Sequence, residues 1–373
     1  MITSPLLYLF TLALLATTLH LLEPKSKFFK YVPAVVMIYA SSMLLAGLGA
    51  FESSQEIKNI YKLTKTNLLP AMLFLMLLQI DFREFFRLGR SLIIAYILAV
   101  LSIAFSFIVV AKLFVFSEDM AGAFGALSGS WMGGTANMIA VGSALEVSQE
   151  AFGYALIVDS VNYTFWVMFL LFLVPFASVF NRFTKSEESM KGMAEIGCAC
   201  NLGAKRYWLL IALSLAVSLL SQILAQMLPL ISTTTSMVIF ATLFGIGLSF
   251  TPLKKLNGTD EVATSMLYML IALIGSQAVF ESFDGVFTYV VAGFSILFLH
   301  AIIMVIGAKI FKLDLFSVGV ASLANIGGVA SAPILAATYN KSLVGIGVVM
   351  AIMGYLIGTF GGLLVGNILV NLS

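Results

Sequence analysis

Two similar motifs, 194 residues apart, interrupt long apolar stretches of this sequence. The first reads Ser128-Gly-Ser-Trp-Met-Gly-Gly-Thr-Ala-Asn137, and the second reads Ser322-Leu-Ala-Asn-Ile-Gly-Gly-Val-Ala-Ser331. Paired glycines with small polar neighbours favour an unwound backbone, which a bilayer tolerates only where it lines a cavity or is buried in protein. The motifs therefore predict two interrupted helices beside a site for a solute or an ion. Close helix packing is the alternative role of such glycines.

The composition is that of a chain that crosses a membrane many times. It is 61% hydrophobic and 10% charged, whereas a soluble domain has about 25% charged residues. The net charge of +2 is too small to indicate nucleic-acid binding. An apolar run begins near the N-terminus without a basic stretch before it, so we expect residues 5–22 to be a retained span. The sequence thus predicts an all-α polytopic membrane protein.

Apolar runs of roughly 17–25 residues are long enough to cross a bilayer. Glycines are frequent in the last of these runs, which suits either sliding or tight packing of that helix. The two motifs lie in elements at 121–143 and 316–338. The predicted spans are 5–22, 31–50, 67–80, 91–115, 152–180, 206–228, 232–250, 263–280, 286–308 and 343–370.

The two halves of the chain resemble each other beyond the glycine pairs. Stretches 70–78 and 264–272 are similar and again lie 194 residues apart, which indicates an internal duplication. Charge favours an inverted arrangement, because Lys and Arg prefer cytoplasmic loops. If each motif element enters and leaves on one side, 16 of the 20 Lys and Arg fall inside, and acidic stretches such as 281–284 fall outside. If each element crosses completely, the basic loop 181–206 falls outside.

We therefore predict two inverted repeats of about five spans each, at 1–180 and 206–373, joined by a cytoplasmic linker at 181–205. Each repeat contains one interrupted helix, which we expect to be a re-entrant hairpin. The alternative is that each motif element is a broken helix that crosses the membrane, in which case the list of spans has one membrane crossing miscounted. Both arrangements place two antiparallel interrupted elements near the middle of the bilayer.

Polar groups around the glycine pairs are candidate ligands. Amide and hydroxyl oxygens suit a hard cation such as Na⁺, and freed helix N-termini favour anions. Interhelical hydrogen bonding is the alternative role of these side chains. The predicted substrate-binding residues are Gly133, Gly134, Thr135, Ser130, Gly327, Gly328 and Ser331, and the predicted ion-coupling residues are Asp159, Asn137, Asn325 and Asn162.

Asp159 is the sharpest single candidate. It lies about 12 Å into its span at 1.5 Å per residue, where a carboxylate costs roughly 2.5–3.5 kcal/mol. No basic residue stands one helical turn away. A carboxylate in that position takes up a proton or holds a cation, so we predict H⁺ coupling, or Na⁺ bound by Asp159, Asn137 and Thr135. The alternative is that Asp159 forms a structural pair with a residue that folding brings close to it.

Several chemistries are disfavoured. The chain has neither a phosphate-binding Gly-Lys loop nor an HExxH zinc motif, so we predict no enzyme activity and no cofactor apart from Na⁺. An intramembrane protease that uses Ser128 or Ser130 with His20 or His300 is a minor alternative. A membrane scaffold without transport is another.

Four stretches together resemble a known family. They are Gly133-Gly-Thr-Ala-Asn137, Val158-Asp-Ser-Val-Asn162, Ala321-Ser-Leu-Ala-Asn-Ile-Gly-Gly328 and Gly354-Tyr-Leu-Ile-Gly-Thr-Phe-Gly-Gly362. Over nearly its whole length the chain is similar to the YjcL-like uncharacterised bacterial integral membrane proteins. That resemblance implies a distant relation to sodium–glutamate symporters, bile acid symporters and cation–proton antiporters. It also implies a mobile core, a scaffold that forms a homodimer, elevator-type transport and a location in the bacterial inner membrane.

We therefore expect a secondary active transporter of a small anionic or zwitterionic solute, driven by Na⁺ or H⁺. A monovalent cation–proton antiporter is the alternative. The expected partners are the solute or ion, the lipid bilayer and a second copy of the chain. The core would combine both motif elements with spans 91–115, 152–180, 286–308 and 343–370, and the scaffold would lie near 5–50 and 206–250.

Overall fold

A computed structural model of the chain describes residues 1–25, 29, 34–52, 54–78, 87–186, 203–228, 233–256, 258–277, 285–340 and 343–373. These residues are mainly helical, and the one β contact among them is an isolated bridge between Ile2 and Phe51. The all-α prediction is therefore confirmed for the described part of the chain. In it, six helices are long and apolar enough to cross a membrane.

The α-helices follow one another with short connections. The predicted linker 181–205 lies mostly outside the described residues, as do the acidic stretch 281–284 and Lys341. In chain order the helices are α1 (Pro5–Leu22), α2 (Ala34–Gly47), α3 (Gln55–Leu78), α4 (Arg90–Phe114), α5 (Glu118–Gly133), α6 (Thr135–Ala144), α7 (Gln149–Leu173), α8 (Ala177–Thr184), α9 (Ala204–Met227), α10 (Thr233–Ser249), α11 (Thr259–Gly275), α12 (Val286–Phe311), α13 (Leu315–Ile326), α14 (Gly328–Tyr339) and α15 (Val344–Val370).

The chain divides into two compact units, and each unit takes segments from both halves of the sequence. Unit 1 comprises Met1–Gln79, Glu146–Ser160 and Cys200–Val286. Unit 2 comprises Ile80–Leu145, Val161–Ala199 and Phe287–Ser373. The segments predicted for the scaffold belong to unit 1, and both motif elements belong to unit 2. The predicted core span 152–180 is divided between the units after Ser160.

In unit 1, helix α3 has a buried second half with a proline inside it. Residues 69–78 are all buried, and Pro70 has no N–H to donate to the carbonyl one turn earlier. Helix α9 compensates for this loss, because Gln222 Nε2 donates to Thr66 O at 3.4 Å and Ser218 Oγ donates to Asn67 O at 2.7 Å. Polar side chains of one apolar helix thus satisfy the backbone of its neighbour.

In unit 2, helices α5 and α15 pack through glycine faces. A methyl group on Gly125 would lie 2.5 Å from the Cα of Gly366, and one on Gly362 would lie 2.7 Å from the Cα of Gly129. The glycines recur every four residues on both helices, so they form one stripe on each. The contacting residues have increasing numbers along α5 and decreasing numbers along α15, so the two helices are antiparallel. Their backbones are in direct contact. Sliding and tight packing are the two roles predicted for the glycines of the last span, and these contacts are those of tight packing.

We predict that Gly362→Ala destabilises the protein, because its methyl group would overlap the backbone of α5. Overpacking of this kind costs about 1–3 kcal/mol. Thermal unfolding of the purified protein in detergent measures the loss. Gly247→Ala in α10 is the matched control, since a methyl group there meets nothing within 4 Å and alanine stabilises a helix interior. Equal melting temperatures for the two variants would contradict the packing described.

Candidate functional site at two helical hairpins

The first glycine pair lies at the tip of a hairpin formed by α5 and α6. A methyl group on Gly129 would lie 2.9 Å from Val141 Cγ2, and one on Gly125 would lie 3.0 Å from Leu145 Cδ1. A continuous helix would separate residues 129 and 141 by about 18 Å. The two helices therefore fold back on each other, as predicted for a hairpin rather than for a crossing broken helix.

The backbone geometry of Gly134 makes this reversal. Its φ of 99° and ψ of 172° lie in a region that is essentially restricted to glycine. The Gly134 N–H ends α5 by donating to Ser130 O at 2.6 Å, and Gly134 O accepts from Asn137 N at 3.0 Å. Its neighbour Gly133 has the other role, close packing, because a methyl group there would collide with the Gly354 backbone.

The second glycine pair lies at the tip of a hairpin formed by α13 and α14. The rings of Phe316 and Tyr339 meet at 5.3 Å between centroids, and a methyl group on Gly319 would lie 3.4 Å from Leu335 Cδ2. These contacts join residues from the far ends of the two helices. At the tip, Gly327 N–H donates to Leu323 O at 2.8 Å, and Gly328 has a left-handed φ of 59°.

The two hairpins approach helix α15 from opposite ends. Hairpin 1, formed by α5 and α6, has its tip at Gly354 and its base near Gly366. Hairpin 2, formed by α13 and α14, leads directly into the start of α15, so its base lies there. One turn further along α15, a methyl group on Gly347 would lie 2.7 Å from the carbonyl carbon of Ala332 in α14. Both tips therefore point toward the middle of α15, an arrangement that inverted repeats require; the duplication itself stays a prediction.

Asn137 joins the tip of hairpin 1 to α15. It is 1% exposed, its Oδ1 accepts a hydrogen bond from Thr359 Oγ1 at 2.7 Å, and its Nδ2 is 3.4 Å from Gly354 O. Both ends of the amide are thus used within the protein. Thr359 is not among the site residues predicted from the sequence, although its four-residue spacing from Tyr355 and Leu363 places it on one helix face with them.

Asn325 and Ser331 stand on either side of the break in hairpin 2. Their side chains are 0% and 3% exposed. Asn325 Nδ2 donates to Ala321 O at 2.9 Å, but Asn325 Oδ1 and Ser331 Oγ have no hydrogen-bond partner among the described residues. Buried polar atoms without a partner are uncommon in proteins, so these two oxygens are candidate contacts for a ligand.

A hydrogen-bonded chain holds the first arm of hairpin 2 through His300. Trp166 Nε1 donates to Ser322 Oγ at 3.0 Å, and Ser322 Oγ lies 2.9 Å from His300 Nε2. On the other side, His300 Nδ1 lies 2.6 Å from Ser102 Oγ, whose proton goes to Ala99 O at 2.9 Å. Donation from Ser102 to Ala99 O requires that His300 Nδ1–H donates to Ser102, and a neutral imidazole of that tautomer accepts at Nε2 from Ser322. This chain ties α13 to α4, α7 and α12.

The remaining predicted site residues are distributed over both units. Asp159 is half-buried on α7 in unit 1, and it interacts with other groups of the protein. Asn162 and Ser130 are buried in unit 2, and Thr135 is half-buried there. Among the described residues, no cluster of three or more His, Cys, Asp or Glu could hold a metal ion. The roles assigned to these residues stay predictions.

We predict that Thr359→Val weakens the junction between hairpin 1 and α15. The substitution keeps the shape of the side chain but removes the donor to Asn137 Oδ1, and an unsatisfied buried acceptor costs about 1–3 kcal/mol. Thermal unfolding in detergent measures this cost. Thr338→Val is the control, because the Thr338 hydroxyl is exposed and bonds Leu335 O within its own helix. An unchanged melting temperature for Thr359→Val would show that this hydrogen bond is not a significant stabilising contact.

Comparison with known proteins places the chain in a family. The family described as "Protein of unknown function (DUF819)" matches residues 9–372. The uncharacterised membrane protein YjcL of Bacillus subtilis (strain 168) is 22% identical over 385 aligned positions, which cover 93% of this chain and 92% of the relative. The resemblance inferred from the motifs is therefore confirmed. With six long apolar helices among its described residues, this chain is a helical membrane protein that belongs to the DUF819 family.

Proposed function

We propose that this protein is a secondary active transporter of a small organic solute, anionic or zwitterionic, coupled to Na⁺ or H⁺. The observation that favours this function is the pair of glycine-broken hairpins whose tips approach α15 from opposite ends. Helix ends at such breaks present backbone N–H and C=O groups that the helices cannot satisfy themselves. In known transporters, interrupted helices of this kind form the substrate and ion sites near the middle of the membrane.

The chemistry of the hairpin tips suggests a weakly charged solute. The polar residues beside the breaks are hydroxyls and amides, and neither motif contains an arginine that could bind a carboxylate or phosphate in a bidentate manner. A monoanion or zwitterion therefore suits the tips better than a highly charged solute. Asp159, Asn137, Asn325 and Asn162 are the candidate residues for ion coupling, and Gly133, Gly134, Thr135, Ser130, Gly327, Gly328 and Ser331 are the candidates for solute binding.

The two compact units suggest how transport would proceed. In an elevator-type mechanism, unit 2 would be the mobile core because it contains both hairpins, and unit 1 would be the scaffold through which a homodimer forms. The family resemblance implies a distant relation to sodium–glutamate and bile acid symporters, and this assignment follows from that analogy alone. By the same analogy we assign the protein to the inner membrane of a bacterium.

We predict that the purified protein in proteoliposomes accumulates a solute when a Na⁺ or H⁺ gradient is imposed. A thermal-shift screen of small metabolites, with and without Na⁺, would first identify the solute, because ligands that bind the folded state raise its melting temperature. Asp159→Asn and Asn137→Ala should each abolish gradient-driven uptake by removing a coupling group. Asp119→Asn is the matched control, since Asp119 is exposed in the first turn of α5.

Two outcomes of the uptake experiment would count against the proposal. Gradient-dependent uptake that survives in both Asp159→Asn and Asn137→Ala, with wild-type rates, would refute the assigned coupling residues. Acid-loaded vesicles with a quenched pH dye test the antiporter alternative. Dequenching on addition of Na⁺ or K⁺ without any organic solute would favour cation–proton exchange over solute transport.

A further inference from the structure

The two hairpins differ in how completely their tip residues are hydrogen-bonded. At hairpin 1, both ends of the Asn137 amide are used, by Thr359 and by Gly354 O. At hairpin 2, Asn325 Oδ1 and Ser331 Oγ are buried and unpartnered among the described residues. An unsatisfied buried polar atom is costly, so hairpin 2 is the tip where a ligand would stabilise the protein most.

The unpartnered atom of Asn325 is its oxygen, and the hydrogen-bond geometry fixes this assignment. The other end of the amide lies 2.9 Å from Ala321 O, and a carbonyl oxygen only accepts hydrogen bonds. The amide nitrogen must therefore face Ala321, which leaves Oδ1 as the atom without a partner. An amide oxygen binds a cation or a hydrogen-bond donor, and it repels a carboxylate or phosphate.

Ser331 Oγ lies close to the break itself. A methyl group on Gly327 would collide with it, and with the Tyr163 ring at 2.7 Å from Cε2. Asn325 precedes that glycine by two residues at the end of α13. The last carbonyl groups of α13 present a partial negative charge beside Asn325, whereas the first N–H groups of α14, which begins at Gly328, present a partial positive charge near Ser331. Asn325 Oδ1 and the end of α13 are therefore the groups that favour a positive charge at this tip. The absence of carboxylates from both motifs makes a monovalent charge more suitable than a divalent one.

We propose that the tip of hairpin 2 binds a monovalent cationic group through Asn325 Oδ1 and Ser331 Oγ. The group is either Na⁺ or the ammonium group of a zwitterionic solute, because both present the same positive charge to oxygen ligands. The assignment deepens the proposed transport function by placing cation recognition at hairpin 2. It rests on that function only for its physiological meaning, since binding can be measured without transport.

The experiment follows thermal unfolding of the purified full-length protein in detergent. Sodium chloride is titrated against choline chloride at constant ionic strength, and a second series uses methylammonium chloride. We expect a saturable rise in melting temperature with one of these cations. Ser331→Ala should weaken the apparent Kd roughly ten-fold or more, because one ligand oxygen to a charged group is lost. In choline chloride the same variant should melt no lower than wild type, since it loses only an unpaired hydroxyl.

Ser317→Ala is the matched control. Its hydroxyl is also buried and has no hydrogen-bond partner among the described residues, but it lies at the opposite end of α13. This variant should keep the wild-type response to the cation.

The outcomes distinguish Na⁺ from a solute ammonium group, and they test the cation site separately from the transport function. A shift with Na⁺ identifies an ion site, and a shift with methylammonium alone identifies a solute ammonium site. Either shift, if Ser331→Ala weakens it and Ser317→Ala does not, supports the proposal. It is overturned if neither cation stabilises wild type, if Ser331→Ala responds like wild type, or if Ser331→Ala melts lower in every salt. Solute uptake without any cation response would refute this site and leave the transporter standing; the reverse result would refute transport alone.

Discussion

The backbone contact between α5 and α15 is the constraint on which the arrangement of the hairpins depends. Glycines at four-residue intervals on both helices leave no side chain between them, and a methyl group at Gly125 or Gly362 would overlap the facing Cα. Contact at this distance fixes hairpin 1 along much of α15. The same helix meets hairpin 2 at Gly347. One glycine-rich helix therefore determines where both tips lie, and Asn137 reaches Thr359 because of it.

The breaks and the architecture around them could be predicted from the sequence for definite physical reasons. Paired glycines weaken an apolar helix at the point where they occur, and the structure breaks both helices there. The charge distribution favoured hairpins over crossing helices, and the contacts of Gly129 with Val141 agree with that choice. The pairing of α5 with α15 could not be predicted, because helical spacing identifies a glycine face without identifying the partner that packs on it.

The assignment of individual site residues was less predictable, because hydrogen bonding depends on the whole fold. Asn137 and Asn325 occupy similar positions in the two motifs, yet one amide is fully hydrogen-bonded and the other has an open oxygen. Thr359 was not identified from the sequence, since a threonine in an apolar helix usually bonds its own backbone. His300 bonds Ser102 and Ser322 and so holds hairpin 2 in place. These differences are the observations on which the proposed cation site at hairpin 2 rests.

The membrane topology that we propose has each glycine-pair element entering and leaving on one side, and the two elements doing so from opposite sides. Cysteine labelling in intact cells tests it most directly, with Cys198 and Cys200 replaced by serine and a membrane-impermeant maleimide as the probe. Cysteines at the exposed positions Glu118 and Glu146 flank hairpin 1, and those at Lys312 and Asn340 flank hairpin 2. We expect the cysteines at 118 and 146 to be labelled from outside, and those at 312 and 340 to be labelled only after the cells are opened. Labelling of the two ends of one hairpin from opposite sides would contradict it.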